Sequence, residues 1–133
     1  MNTEIIKNIY TAFKRKDLPA ILELQSEEAQ WSVAGPANEI PWAFPGQGKE
    51  GVANFLKILG GLLAAEVFEI KEYLQNDNKV IALGYQKGYV ITSQVPYEFD
   101  FVHVWTLSNG KVTGFRVYYD SYYVAEVLNR KRK

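Results

Sequence analysis

His103 is the single histidine in 133 residues, and the chain contains no cysteine. Any chemistry therefore has to come from that one imidazole, from carboxylates or from phenols. A zinc site of the Cys/His kind, a cysteine nucleophile and a thiol redox centre cannot be assembled from this composition. Carboxylate-bound magnesium passes that test, but no acidic cluster such as D-x-D suggests it, so neither a metal nor a cofactor is expected.

Aromatic residues are the compositional excess, and eleven of them fall between Tyr85 and Tyr123. Inside that stretch Asn109-Gly110 is the strongest short hairpin signal in the chain. A two-residue turn there pairs Ser108 with Lys111 and, with no irregularity, sets Trp105 opposite Gly114, His103 opposite Arg116, Phe101 opposite Tyr118 and Phe99 opposite Asp120. In this register one face gathers His103, Arg116, Tyr118 and Asp120 among Phe99, Phe101 and Trp105. An apolar wall with a few convergent polar groups is what a small-molecule pocket requires. The opposite face carries Val102, Val104, Phe115 and Val117, so helices are expected over one side of the sheet and a second subunit over the other. A single bulge would shift every pair beyond it.

On this reading Asp120 is the candidate general acid or base, acting beside a carbonyl or enolate oxygen. An apolar wall would raise its pKa toward neutrality and Arg116 would lower it. A structural ion pair between Asp120 and Arg116, four residues apart, fits the pattern as well. His103, facing Arg116, is expected to stay neutral, either lining the site or as a satisfied core residue. Tyr118 could donate to a substrate oxygen, and Trp31 and Trp42 could shape the pocket mouth or simply pack in the core.

The elements that must position these groups are legible from periodicity. Ile5, Ile6, Ile9 and Phe13 predict a first helix, and Asp17 caps a short second one with Pro19 in its first turn. Alternation predicts a strand from Ala29 to Val33. A loop over 35–48, rich in Gly and Pro, carries Ile40, Trp42 and Phe44, which marks it as pinned to the body or acting as a lid. Val52, Phe55, Leu56, Leu59 and Leu63 form the clearest amphipathic helix, with Gly60-Gly61 expected to end or bend it. Four strands follow, at about 66–75, 79–91, 95–107 and 111–120, and then a helix or strand extension from Tyr122 to Leu128. Helices followed by a meander of strands predict an α+β fold in a single domain spanning 1–133.

The helix-helix-strand-helix-meander order, Phe101-Val102-His103-Val104-Trp105, the Asn109-Gly110-Lys111 turn and Phe115-Arg116-Val117-Tyr118-Tyr119-Asp120 resemble the SnoaL-like branch of the nuclear transport factor 2-like (NTF2-like) superfamily. That group includes polyketide cyclases, ketosteroid isomerase relatives and limonene epoxide hydrolases. The resemblance implies a cone of three N-terminal helices on a curved, mostly antiparallel sheet with a central pocket, commonly dimerising through the outer sheet face. By similarity to the cyclases, Asp120 would be the acid/base residue and His103 would line the pocket. Isomerases of the group carry their base just after the first strand, where this chain has Val33-Ala34-Gly35-Pro36 and no carboxylate. The Asp-Arg-Asp site of the epoxide hydrolases would need a second aspartate beside Arg116 and Asp120.

Fifteen basic and fifteen acidic residues balance over the whole chain, but residues 130–133 hold four of the cations and read as a frayed basic tail. The remaining body is acidic, which argues against a nucleic-acid partner. No charge-free run exceeds about ten residues, short of a bilayer span, and the absence of cysteine fits a reducing cytoplasm. The expected protein is thus a homodimer binding a small hydrophobic molecule. It could be a cofactor-independent cyclase or isomerase, a non-catalytic binding protein, or an accessory domain with a filled pocket.

Overall fold

In the computed structural model, residues 2–35, 39–43 and 46–130 are described. Phe44, Pro36 and Pro45 of the expected loop, and Lys131 to Lys133 of the basic tail, lie outside them.

The chain runs α1 (Asn2–Lys14), α2 (Leu18–Glu23), β1 (Gln25–Val33), α3 (Gly48–Leu62), β2 (Leu63–Asn76), β3 (Lys79–Val90), β4 (Pro96–Ser108), β5 (Lys111–Tyr118) and α4 (Ser121–Asn129). The strands form one mixed sheet in the order β1-β5-β4-β3-β2, with β1 parallel to β5 and the other pairs antiparallel. This is the expected α+β cone. No helix among the described residues is long and apolar enough to cross a membrane.

Local signals account for most boundaries. Asp17 caps α2 by accepting from the Ala20 N–H at 3.2 Å. Asn109 and Gly110 both have positive φ (52° and 78°), the backbone that a two-residue hairpin turn of the right twist demands. Two boundaries move. α3 starts at Gly48 and continues through Gly60-Gly61 to Leu62, where the backbone turns directly into β2. β1 starts at Gln25, four residues before its apolar alternation begins, because Gln25 is itself buried and accepts from the Trp31 indole.

Bulges decide which side chains face inward. In β2 the register shifts once between Ala65 and Val67 and again between Ile70 and Glu72. The extra residues, Glu66 and Lys71, bend the strand around the helices and keep Leu63, Phe68, Ile70 and Tyr73 on the inner face although their spacing is not a strict period of two.

The third bulge corrects the sequence-derived register. Ser108 pairs with Lys111 and Leu107 with Val112 as expected, but Thr106 then pairs with Gly114, Trp105 with Phe115, Val104 with Arg116, His103 with Val117 and Val102 with Tyr118. Thr113 is the additional residue, and its hydroxyl donates to the Thr106 carbonyl at 3.3 Å. A one-residue slip moves every later side chain to the opposite face. Phe115 and Val117 are therefore buried inside the cone, while Arg116 and Tyr118 project outward.

The core lies between the inner sheet face and the helices. Its most completely buried side chains include Trp42, Trp105, Ile6, Ile40 and Leu107. Ile40 and Trp42 come from the 35–48 loop, so the described part of that loop is pinned into the body.

Candidate functional site

The site is assembled around His103 on the inner face of β4. Its ring stacks on Phe101 (centroids 4.1 Å apart, planes 17° apart) and on Tyr10 of α1 (5.8 Å, 18°), and meets the edge of Phe115 at 4.8 Å. Tyr10 occupies the helical stripe of α1, four residues after Ile6, so the packing that docks the helix also delivers a phenol to the imidazole. Tyr10 Oη lies 2.6 Å from His103 Nδ1, and the Trp105 indole N–H donates to the same oxygen at 2.9 Å. Three buried polar groups thereby satisfy one another in an aromatic environment, as burial requires.

Burial lowers the His103 pKa from 6.5 to about 3, because nothing nearby compensates an imidazolium. The same burial raises the Tyr10 pKa well above the usual phenol range, although the Trp105 hydrogen bond opposes it. Both groups are neutral at physiological pH.

A cavity of about 70 Å³ opens beside this chain of hydrogen bonds. Among the described residues its walls are aromatic and aliphatic side chains together with Gln86, Tyr119, Tyr10 and His103, without a carboxylate, lysine or arginine. That volume holds about two waters and is well below the roughly 300–1,000 Å³ of pockets that enclose drug-sized ligands. Most of the cone is filled by rings. Gln86 donates to Tyr97 Oη at 2.9 Å, and Tyr97 donates on to the Ala64 carbonyl at 2.9 Å. The Tyr119 hydroxyl is occluded without a hydrogen-bond partner. Burial raises its pKa, and the Trp42 indole, near it but outside hydrogen-bond geometry, opposes part of that rise.

Of the residues singled out in the sequence, His103, Phe99, Phe101, Trp105, Trp31 and Trp42 line the cavity. Arg116, Tyr118 and Asp120 do not. Arg116 lies on the outer face, donates to Ser32 Oγ at 3.2 Å and sits 5.4 Å from the Tyr118 ring centroid. Tyr118 is 44% exposed. Asp120 is exposed at the start of α4, where its carboxylate accepts from the Tyr123 N–H at 3.0 Å as the helix cap. The alternative reading, an ion pair of Asp120 with Arg116, is absent among the ion pairs of the described residues. The Thr113 bulge is the physical reason for the displaced Arg116 and Tyr118, and the end of β5 at Tyr118 is the reason for Asp120.

The outer face is correspondingly less apolar than expected. Ile81, Leu83, Val102 and Val104 occupy its centre, half-buried, and beside them a hollow of about 510 Å³ is lined by Gln30, Ser32, Lys79, Thr106, Arg116 and Tyr118. Sequence reading missed Tyr10, Phe68, Gln86, Phe115 and Tyr119 as cavity residues. The signal for Tyr10 was its place in the α1 stripe, and for Gln86 a polar residue at an inner-face position between Gly84 and Gly88. Phe115 was assigned to the wrong face by the unbulged register.

Comparison with known proteins agrees with this architecture. A family model described as the SnoaL-like domain matches residues 6–115. An NTF2-like protein of unknown function from Burkholderia pseudomallei superposes with a TM-score of 0.87 at 19% identity, covering 97% of this chain and 98% of the other. An NTF2-like protein from Burkholderia xenovorans gives 0.86 at 26% identity, covering 96% and 95%. TerC, co-crystallised with polyporic acid, gives 0.75 at 25% identity, covering 97% and 98%. No curated protein matches the sequence.

Proposed function

Because this chain belongs to the SnoaL-like domain family, we propose that it binds one small, uncharged, mainly apolar molecule in the aromatic cavity, with His103 as the polar anchor. The observation that carries this reading is the buried Trp105–Tyr10–His103 chain at the wall of a cavity that has no charged side chain among the described residues. An ionic ligand would lose its hydration there and gain no counter-charge, whereas a neutral one gains from burial against the rings. The co-crystallisation of TerC with polyporic acid supports small-molecule binding by this fold. Because the cavity is small, entry of an organic ligand requires the lining rings to part, and the pocket opens with the ligand rather than standing ready for it.

All three tryptophans, Trp31, Trp42 and Trp105, line the cavity, so their indole N–H resonances report its occupancy. Titration with cyclohexene is expected to move those resonances saturably, while cyclohexene-1-carboxylate at the same concentrations leaves them in place. Equal responses to both, or none to cyclohexene, would sink the proposal.

A second reading makes the protein a cyclase or isomerase with Asp120 as acid or base and His103 assisting. Asp120 directly follows Tyr119, which lines the cavity, and this adjacency is what favours it. The reading requires the first turn of α4 to open so that the carboxylate leaves the Tyr123 N–H. Asp120→Asn preserves a good helix cap, so turnover of an identified substrate within a few-fold of wild type would reject Asp120 as the acid/base group without confusion from misfolding.

The outer face is proposed as a homodimer interface. Half-buried Ile81, Leu83, Val102 and Val104 are left uncovered by the helices in a single chain, and a second copy would bury them. Light scattering at micromolar concentration should return twice the chain mass, and a monomer mass rejects the dimer.

A further inference from the structure

We propose that His103 is held as its Nε2–H tautomer and presents that N–H to the cavity as a hydrogen-bond donor, so that the ligand taken there carries a carbonyl-type acceptor oxygen. The inference rests on the ligand-binding reading above and adds the chemical class.

The assignment follows from counting protons. An indole nitrogen only donates, so the Trp105 N–H occupies one lone pair of Tyr10 Oη. The remaining contact of that oxygen is His103 Nδ1 at 2.6 Å. If Nδ1 carried the proton and donated to Tyr10, the tyrosine hydrogen would have no acceptor among the described residues, since Oη makes no hydrogen bond there besides those with Trp105 and His103. A buried donor without a partner is costly. Tyr10 therefore donates and Nδ1 accepts. A neutral imidazole with Nδ1 as acceptor carries its hydrogen on Nε2.

The only hydrogen bond of the His103 ring among the described residues is the one at Nδ1, and Nε2 makes none. Among the described residues only Tyr119 Oη is both occluded and without a partner, so Nε2 is not sealed off. His103 lines the cavity, and this free N–H is the donor offered to whatever enters. The rings facing His103 (Tyr10, Phe68, Phe101, Trp105 and Phe115) carry no formal charge, so the imidazole stays uncharged. It polarises an acceptor oxygen rather than removing a proton. A ketone, enone, quinone or ester oxygen fits; a pure hydrocarbon leaves the donor unpaired.

The test uses the intact protein and its single histidine, which makes the imidazole spectrum unambiguous. Long-range ¹H–¹⁵N correlation on ¹⁵N-labelled protein is expected to show the Nε2–H pattern, unchanged between about pH 5 and 8. The Nδ1–H pattern, or a titrating average, would overturn the assignment. The ligand arm compares 2-cyclohexenone with cyclohexene on wild type and His103→Phe. A carbonyl gives up its water hydrogen bonds on entry and needs a replacement. Enone affinity should therefore fall about tenfold or more relative to cyclohexene affinity in the variant, the scale of one lost hydrogen bond. If the tautomer is as assigned but both ligands respond equally to the substitution, the acceptor-oxygen class is wrong and apolar binding survives. If neither ligand binds the wild type, both readings fall. Should His103→Phe not fold, wild-type spectra with bound enone still decide: the Nε2 resonance shifts, or the proposal is rejected.

Discussion

Tyr10 Oη and His103 Nδ1, 93 positions apart in sequence, meet at 2.6 Å between α1 and the centre of the sheet. This contact joins the docking of the first helix to the protonation state of the only imidazole, and the consequences can be measured.

Tyr10→Phe removes the shared oxygen and leaves the Trp105 indole N–H and His103 Nδ1 without partners in a dry aromatic setting. Each orphaned group costs about 1–3 kcal/mol. The variant should lose about 2–4 kcal/mol in urea unfolding, with an unchanged slope. A loss under about 0.5 kcal/mol would mean that the hydrogen bonds do not form in solution.

Acid should unfold the protein partly through His103. Its folded pKa, about 3, lies below the unfolded value of about 6.5, so the unfolded state binds the extra proton at intermediate pH. The contribution is fully present above about pH 6.5 and is lost as pH falls toward 3, at up to about 1.4 kcal/mol per pH unit inside that window. Urea titrations at pH 7, 6 and 5 should show this loss in wild type and a flatter dependence in His103→Phe. Parallel curves for the two proteins would contradict it.

Gly84 lies opposite Phe101 across β3 and β4, and a Cβ there would come within 2.5 Å of the Phe101 ring. The phenyl ring occupies the space that a side chain on β3 would need. Gly84→Ala should cost about 1–3 kcal/mol as an overpacked core. Combining it with Phe101→Leu should recover part of that cost in a double-mutant cycle, and strict additivity would show that the two residues do not touch.

Thr113 sets the face of everything after it in β5. Thr113→Ala loses one hydrogen bond to the Thr106 carbonyl and should cost about 1 kcal/mol or less. Deleting Thr113 removes only the extra residue: Val112 still faces Leu107, and Gly114, Phe115 and Arg116 still face Thr106, Trp105 and Val104, so Phe115 and Val117 should stay inside the cone. A deletion variant that folds but loses the wild-type near-UV circular dichroism of the core aromatics would contradict the role given to the bulge.

Much of this protein is determined locally and is legible from one chain. The stripe in α1, the Asp17 cap, the change of period after Ala65 and the Asn109-Gly110 turn each act over a few residues, and together they specify an α+β cone with aromatic strands at its centre. His103, Phe101 and Trp105 could be placed on one wall because β4 is regular and strand alternation is strict. What the sequence did not reveal is where that alternation breaks. Glu66, Lys71 and Thr113 have no distinctive local signature as bulge residues; they are extruded because the sheet must curve around its helices and keep Phe68, Ile70, Tyr73 and Phe115 in the core. That global demand carried Arg116 and Tyr118 to the outer face and left Asp120 as a helix cap. It also brought Tyr10, from the far end of the chain, to the one histidine, since partners of an inward-facing ring are chosen by how a helix docks and not by spacing along a strand.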